Sequence, residues 1–225
     1  MNIASVSAVR PKINSVTYTV KTMDHSRYNA KGTRLAEITY DLVTLHGDFP
    51  SIQYINAQLE ETYGKFLKNS ADRRTEDIGE LEAWMNSMGI TPGALTDVER
   101  AQVSCNRDGI FSILYTYEWF WGGVYNTGRA SITFDLNTGS RLSLADLVSV
   151  SSRVTESQLR GIIARYIDDH PEMHFFGRGS DIAQGLDLSK TDYIIVDGQI
   201  IVTFPAGHIS PMFAGPISIE TGIYL

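Results

Sequence analysis

The sequence predicts an α+β fold, a largely antiparallel sheet of hairpins with helices packed against it. Three observations predict it. Many short segments alternate apolar with polar residues, a few longer ones repeat apolar residues at helical spacing, and the tight-turn pairs Asp108-Gly109 and Asp197-Gly198 join alternating segments directly. Successive hairpins with the helices set apart are the mark of a mainly antiparallel α+β architecture.

Each element has its own signal. In residues 13–22, Val16, Tyr18 and Val20 alternate with polar residues, as in a strand with one apolar face. After the polar, turn-rich segment 24–32, Ala36, Ile38, Tyr40 and Leu42 mark a second strand. Ile52, Ile55, Leu59, Tyr63 and Phe66 then recur at helical spacing, and Pro50 suits a first helical turn. Ile78, Leu81, Trp84, Met85 and Met88 repeat that pattern, with Gly89 placed as a C-cap. Residues 89–97 read as a connection, and 99–121 as two strands joined around Asn106–Gly109. Residues 129–136 form a further strand. Thr155 with Gln158 makes a capping box ahead of a helix whose inner stripe is Leu159, Ile162, Ile163 and Tyr166. A hairpin over 193–204 and a closing strand over 217–225 complete the chain.

The chain divides into a strand-helix module, 1–97, and a hairpin-rich module, 98–225. The early strands and helices are too few to bury both of their apolar faces, so the two are expected to pack as one unit. With 225 residues, 43% of them hydrophobic, there is enough chain for a sizeable core. The net charge of −7 and the scattered Lys and Arg argue against a nucleic-acid partner. One cysteine, Cys105, allows no internal disulfide, and its place on an apparent strand makes it a buried, inert thiol. No apolar run is long enough to span a bilayer, and the opening MNIASVSAVRPK lacks the apolar core of a signal peptide. The chain is either leaderless or separated from a leader or anchor.

Signatures of catalysis are missing. There is no Gly-x-Ser-x-Gly elbow, and Gly177–Asp181 lacks a phosphate loop's pattern. His170 and His174 are four apart, but Pro171 between them ends the helix and no third ligand is visible, so no metal and no cofactor are expected. The stretch EWFWGGVYNTG, 118–128, is the sharpest candidate site. One strand face carries Phe111, Ile113, Tyr115, Tyr117, Trp119 and Trp121. The first three read as core. Trp119 and Trp121 stand beside an exposed corner, where flat amphipathic rings serve either structure or recognition, and both readings stay open.

Three stretches resemble one family, the extracytoplasmic domain of bacterial lysozyme-sensing anti-sigma factors, which also occurs beside a peptidoglycan deacetylase domain. The first is AEITYDL followed by IQYINAQLEETYGKF, where Ile55-Asn56 matches an Ile-Asn pair. The second is WGGVYNTGRASITFDLNTGSRLSLADL, similar to a Gly-Gly-Ala-His corner, a Phe-Asp-Leu strand end, a Thr-Gly turn and a Leu-x-Leu-x-Asp-Leu segment. The third is VTFPAGHISPMFAGPISIETGIYL, similar to a loop leading into the last strand. Val124-Tyr125 replace the usual Ala-His, Gly207-His208 a Tyr-Glu pair, and Met212-Phe213 cover Tyr-Ala positions. The resemblance implies a non-catalytic binding or sensing domain of the bacterial envelope, outside the cytoplasm, whose partner is a lysozyme-like protein or a cell-wall glycan. Its expected binding residues are Trp119, Trp121, Gly122, Gly123, Tyr125, Asn126 and His208. The alternatives are a glycan-processing hydrolase or deacetylase-associated module, with acid catalysis assembled from separate loops, and a purely structural module. An exposed Trp119/Trp121 surface would favour binding; a cleft holding carboxylates of displaced pKa would favour the enzyme.

Overall fold

The computed structural model describes residues 12–71, 77–123, 125–150 and 154–225. The N-terminal residues 1–11, considered above for a leader, and Val124 at the corner lie outside them. The strands are β1 (Thr17–Asp24), β2 (Arg27–Tyr28), β3 (Arg34–His46), β4 (Leu95–Arg107), β5 (Ile110–Phe120), β6 (Asn126–Asp135), β7 (Asp192–Val196), β8 (Gln199–Phe204) and β9 (Ile217–Tyr224). The helices are α1 (Pro50–Ala71), α2 (Ile78–Ser87), α3 (Leu144–Val150), α4 (Glu156–Asp169) and α5 (Gly179–Gly185). The fold class is the α+β arrangement that the hairpin signals predict.

One sheet has the order β1-β3-β4-β5-β6, with β2 added against β3, and a second has the order β7-β8-β9. Every pairing is antiparallel except β3 with β4. That exception follows from α1 and α2, because parallel neighbours need a long crossover and these helices supply it. Asp108-Gly109 and Asp197-Gly198 close their hairpins with positive φ at both residues (54° and 80°, 49° and 82°), the geometry whose twist matches flanking strands.

Two main cores result. The first gathers Ile38 and Tyr40 of β3, Ile52, Ile55 and Leu59 of α1, Leu81 and Met85 of α2, and Phe111, Ile113 and Tyr115 of β5. The second gathers Leu159, Ile163 and Ile167 of α4, the apolar face of β8 and β9, and, from the first sheet, Cys105 and Ile110. Strand β5 therefore serves both cores by alternation, with Leu114 bridging to Ile194 and Ile201. Residues 97 and 98, on either side of the boundary expected between the two modules, are neighbours within β4.

Local predictions resolve in detail. The Thr155/Gln158 capping box forms, and the buried stripe of α4 is Leu159, Ile163 and Ile167, with Ile162 and Tyr166 half-buried at its margin. Tyr18 and Val20 of β1 stay substantially exposed, because β1 is an edge strand; Tyr18 meets the core through an edge-on contact with Phe111 at 5.7 Å. Cys105 is buried, and burial pushes its thiol pKa up. Asn56 gives a physical role to the Ile-Asn pair. Its side chain accepts from the Leu45 N–H and donates to the Leu45 carbonyl, both at 2.9 Å, tying α1 to the end of β3, while Ile55 is fully buried.

Candidate functional site

The exposed end of the first sheet carries the candidate site. The register pairs Asp97 with Trp119 and Glu99 with Tyr117 across β4–β5, and Trp119 with Asn126 and Tyr117 with Gly128 across β5–β6. Alternation then puts Asp97, Glu99, Tyr117, Trp119 and Asn126 on one face. The C-terminal half of α1 lies over that face. Between them is a cleft of about 680 Å³, whose helical wall is Thr62, Lys65, Phe66, Asn69 and Ser70. That size is within the range of small-molecule sites.

Asp97 is nearly buried and accepts from the Ser70 hydroxyl at 2.7 Å, which joins β4 to the end of α1. Burial, and secondarily the Asp97 charge, push the Glu99 carboxyl up to about 7, so it is near half-protonation at neutral pH. Beneath the cleft lie the phenols of Tyr40 and Tyr115. Burial raises both, that of Tyr40 to about 12. The one cation lining the cleft among the described residues, Lys65, is bound to Glu61 at 2.7 Å.

The residues expected to bind are only partly brought together. Trp119 and Asn126 line the cleft. Trp121 instead packs, half-buried, against the first core. The next residue, Gly122, adopts φ +79°, and a Cβ there would lie 2.6 Å from Ile90 Cδ1 and 3.3 Å from Trp84 Cη2. The corner is thus pressed onto the end of α2, and Gly122 is needed for both its backbone conformation and its close approach. Gly123 and Tyr125 are exposed, and the Tyr125 phenol pKa is raised by desolvation and by Glu118, on the face of β5 opposite Trp119. His208 follows β8, its ring 5.9 Å from Phe204, beside a small hollow lined by Lys190, Asp192 and Pro205. That hollow and the cleft share no lining residue, but a groove of about 630 Å³ adjoins both, sharing Tyr117 with the cleft and Asp192, Thr203 and Pro205 with the hollow.

The histidine pair also separates. His170 caps α4, with Nδ1 2.8 Å from the Tyr166 carbonyl and its ring stacked on Tyr166. His174, past the short 3-10 turn Pro171–Met173, faces Phe213 instead. No group of three or more potential metal ligands lies together among the described residues.

Asp97, Glu99 and Tyr117 are the site residues that sequence reasoning missed. The signal for the two acids is TDVER, which alternates them onto the aromatic face once β4 is extended back to Leu95; Tyr117 is already on that face.

No family model matches the sequence, and no curated protein matches it. Solved structures do. A DUF3298-family protein from Bacteroides fragilis matches with a TM-score of 0.56 at 13% identity, covering 93% of this chain and 91% of that one. The chain shares the fold of DUF3298 proteins. A second such structure, from Pseudomonas aeruginosa, gives a TM-score of 0.52 at 18% identity, covering 96% of this chain and 97% of that one. At these identities the DUF3298 likeness concerns fold; the site must be argued from its own residues.

Proposed function

We propose that the chain is a non-catalytic binding module of the bacterial envelope, acting outside the cytoplasm, and that the cleft between α1 and the sheet is its ligand site. The observation that carries this reading is the Tyr117–Trp119 wall: two aromatic rings on a rigid strand, open to a cleft lined with amides, hydroxyls and carboxylates. Large flat rings with polar tips beside convergent polar groups are what recognition sites use. The sequence resemblance supplies the ligand classes, a cell-wall glycan or a lysozyme-like protein.

A pair of substitutions tests it. Trp121→Ala removes a half-buried ring from the first core and is expected to cost about 2 kcal/mol of stability, with little direct effect on binding. Trp119→Ala is expected to leave the protein folded and to weaken binding to purified peptidoglycan or to lysozyme by tenfold or more, about 1.4 kcal/mol. If Trp119→Ala lowers the melting temperature as sharply as Trp121→Ala and leaves both probes bound as before, the cleft is not the ligand site.

Glu99 favours a second reading. A carboxyl near pKa 7 beside a second acid in a cleft is the pattern of a general acid, as in a glycan hydrolase. The first reading expects no release of reducing ends from peptidoglycan or chitin oligomers at pH 5 to 7; turnover abolished by Glu99→Gln would establish the second.

A further inference from the structure

Among the ligand classes that a binding cleft of this kind could take, the observations favour one, and a glycine on β6 explains how the site is made. Gly128 stands directly across from Tyr117. A Cβ on Gly128 would be 2.8 Å from Tyr117 Cε1 and closer still to Cζ and the hydroxyl. The absence of a side chain therefore lets the Tyr117 ring lie down on the β6 backbone instead of standing off the sheet. Packed this way the ring is still 39% exposed, so one side is held and another remains open to the cleft.

Trp119 follows two residues along the same face, about 7 Å away at the rise of an extended strand. Both side chains line the cleft, and two aromatic residues in succession along one strand face make a platform for a linear chain of sugars. The surrounding groups fit hydroxyl-rich ligands: Asn69 and Asn126 donate and accept, and the Asp97 and Glu99 carboxylates accept. The same carboxylates disfavour an anionic ligand. A folded protein partner would need a broad exposed surface. The most exposed large apolar side chains, Phe176, Met212 and Phe213, belong to the C-terminal module, and none lines the cleft.

We infer that the cleft takes an uncharged oligosaccharide laid across the rings of Tyr117 and Trp119, and that Gly128 is the positioning residue that makes Tyr117 part of that platform. This inference rests on the reading of the cleft as a binding site. It is separable from that reading, because a protein ligand would leave the cleft reading intact.

Titration calorimetry with N-acetylglucosamine oligomers and, separately, with lysozyme tests it. The full chain is expected to bind the oligomers, and Trp119→Ala and Tyr117→Ala are each expected to weaken binding about tenfold or more. Gly128→Ala should weaken it to a similar degree while the melting temperature stays close to that of the parent. The displaced atoms are the far end of an exposed side chain, which can swing away without disturbing the core. In a Tyr117→Ala background, Gly128→Ala should have no further effect, because its action passes through the ring; a merely structural effect would add. Additive losses would remove Gly128 from its role. Lysozyme binding that depends on Trp119, with no oligomer binding, would overturn the sugar assignment and keep the cleft. If neither probe binds in a Trp119-dependent way, the binding reading fails and the inference with it.

Discussion

Residues 1–97 expressed alone are expected to show no cooperative thermal transition, although they contain β1, β2, β3, α1, α2 and the first three residues of β4. The first core, which these elements line, is completed by Phe111, Ile113 and Tyr115 of β5 and by Ile132, Phe134 and Leu136 of and just after β6. Phe111 and Phe134 are each almost fully buried. Truncating a single buried aromatic side chain typically costs about 3–5 kcal/mol. A whole domain is stable by only about 5–15 kcal/mol, so losing all six contributions at once exceeds the available stability. Strand β3 also loses two of its five parallel partners, Val98 and Glu99, and the remaining stub of β4, Leu95–Asp97, loses its own partner β5. Circular dichroism with heating is the direct check. A sigmoidal transition in the 1–97 fragment would mean that the first module folds independently of the second.

How far the sequence foretells this architecture depends on which signal each element carries. Long periodic segments are legible: α1, α2 and α4 follow their apolar spacing, and the Asp-Gly pairs mark both tight hairpins. Short elements are not. Helix α3 is seven residues long, too short for a visible apolar period. Its one local mark is Ser143 with Asp146, each accepting from the other's backbone N–H at 3.2 and 3.0 Å, a capping box that reads as a loop in isolation. Helix α5 begins at Gly179, where a Cβ would run into the Ala164 backbone of α4. That is a tertiary reason for a glycine that looks like a loop residue. At the candidate site, alternation places Phe111, Ile113 and Tyr115 in the core and leaves Trp119 at the margin. It is no guide at Trp121, because β5 ends at Phe120 and the alternation ends with it; both residues pack against the first core. His208 groups with the corner only through the family likeness, and the topology sets it after β8 of the second sheet, whereas the corner joins β5 and β6 of the first. The two acids escape a linear reading because the segment around Asp97 looks like a connection. A carboxylate's burial, moreover, is set by the helix above it, which no linear spacing reveals.

Glu99→Gln is expected to make the protein more stable at pH 8 by about 2 kcal/mol and to change little at pH 4, below both the folded and the ordinary value. The folded carboxyl titrates at about 7 against an ordinary 4.5, because burial penalises its charge and the Asp97 carboxylate repels it. Between those values the folded chain keeps a proton that the unfolded chain has already released. Stability therefore falls as pH rises through that window, and the full cost stands above pH 7. A tenfold change in proton affinity on folding is worth about 1.4 kcal/mol; partial contact with solvent reduces the total, which brings the expected figure to about 2 kcal/mol. Gln keeps the shape and loses the titration. Other groups contribute the same pH dependence to both proteins, so the difference between parent and variant isolates Glu99. Urea denaturation at pH 4 and pH 8 measures it, and parallel losses in the two proteins would show that Glu99 is solvated and ordinary. The variant also separates the two readings of the cleft. A carboxyl that only accepts a hydrogen bond from a ligand hydroxyl can be replaced by an amide oxygen with a modest loss of affinity. A general acid cannot, because the amide has no proton to give. Retained binding in a variant that is stabilised at pH 8 is therefore the joint outcome expected of a recognition cleft built over a costly carboxylate.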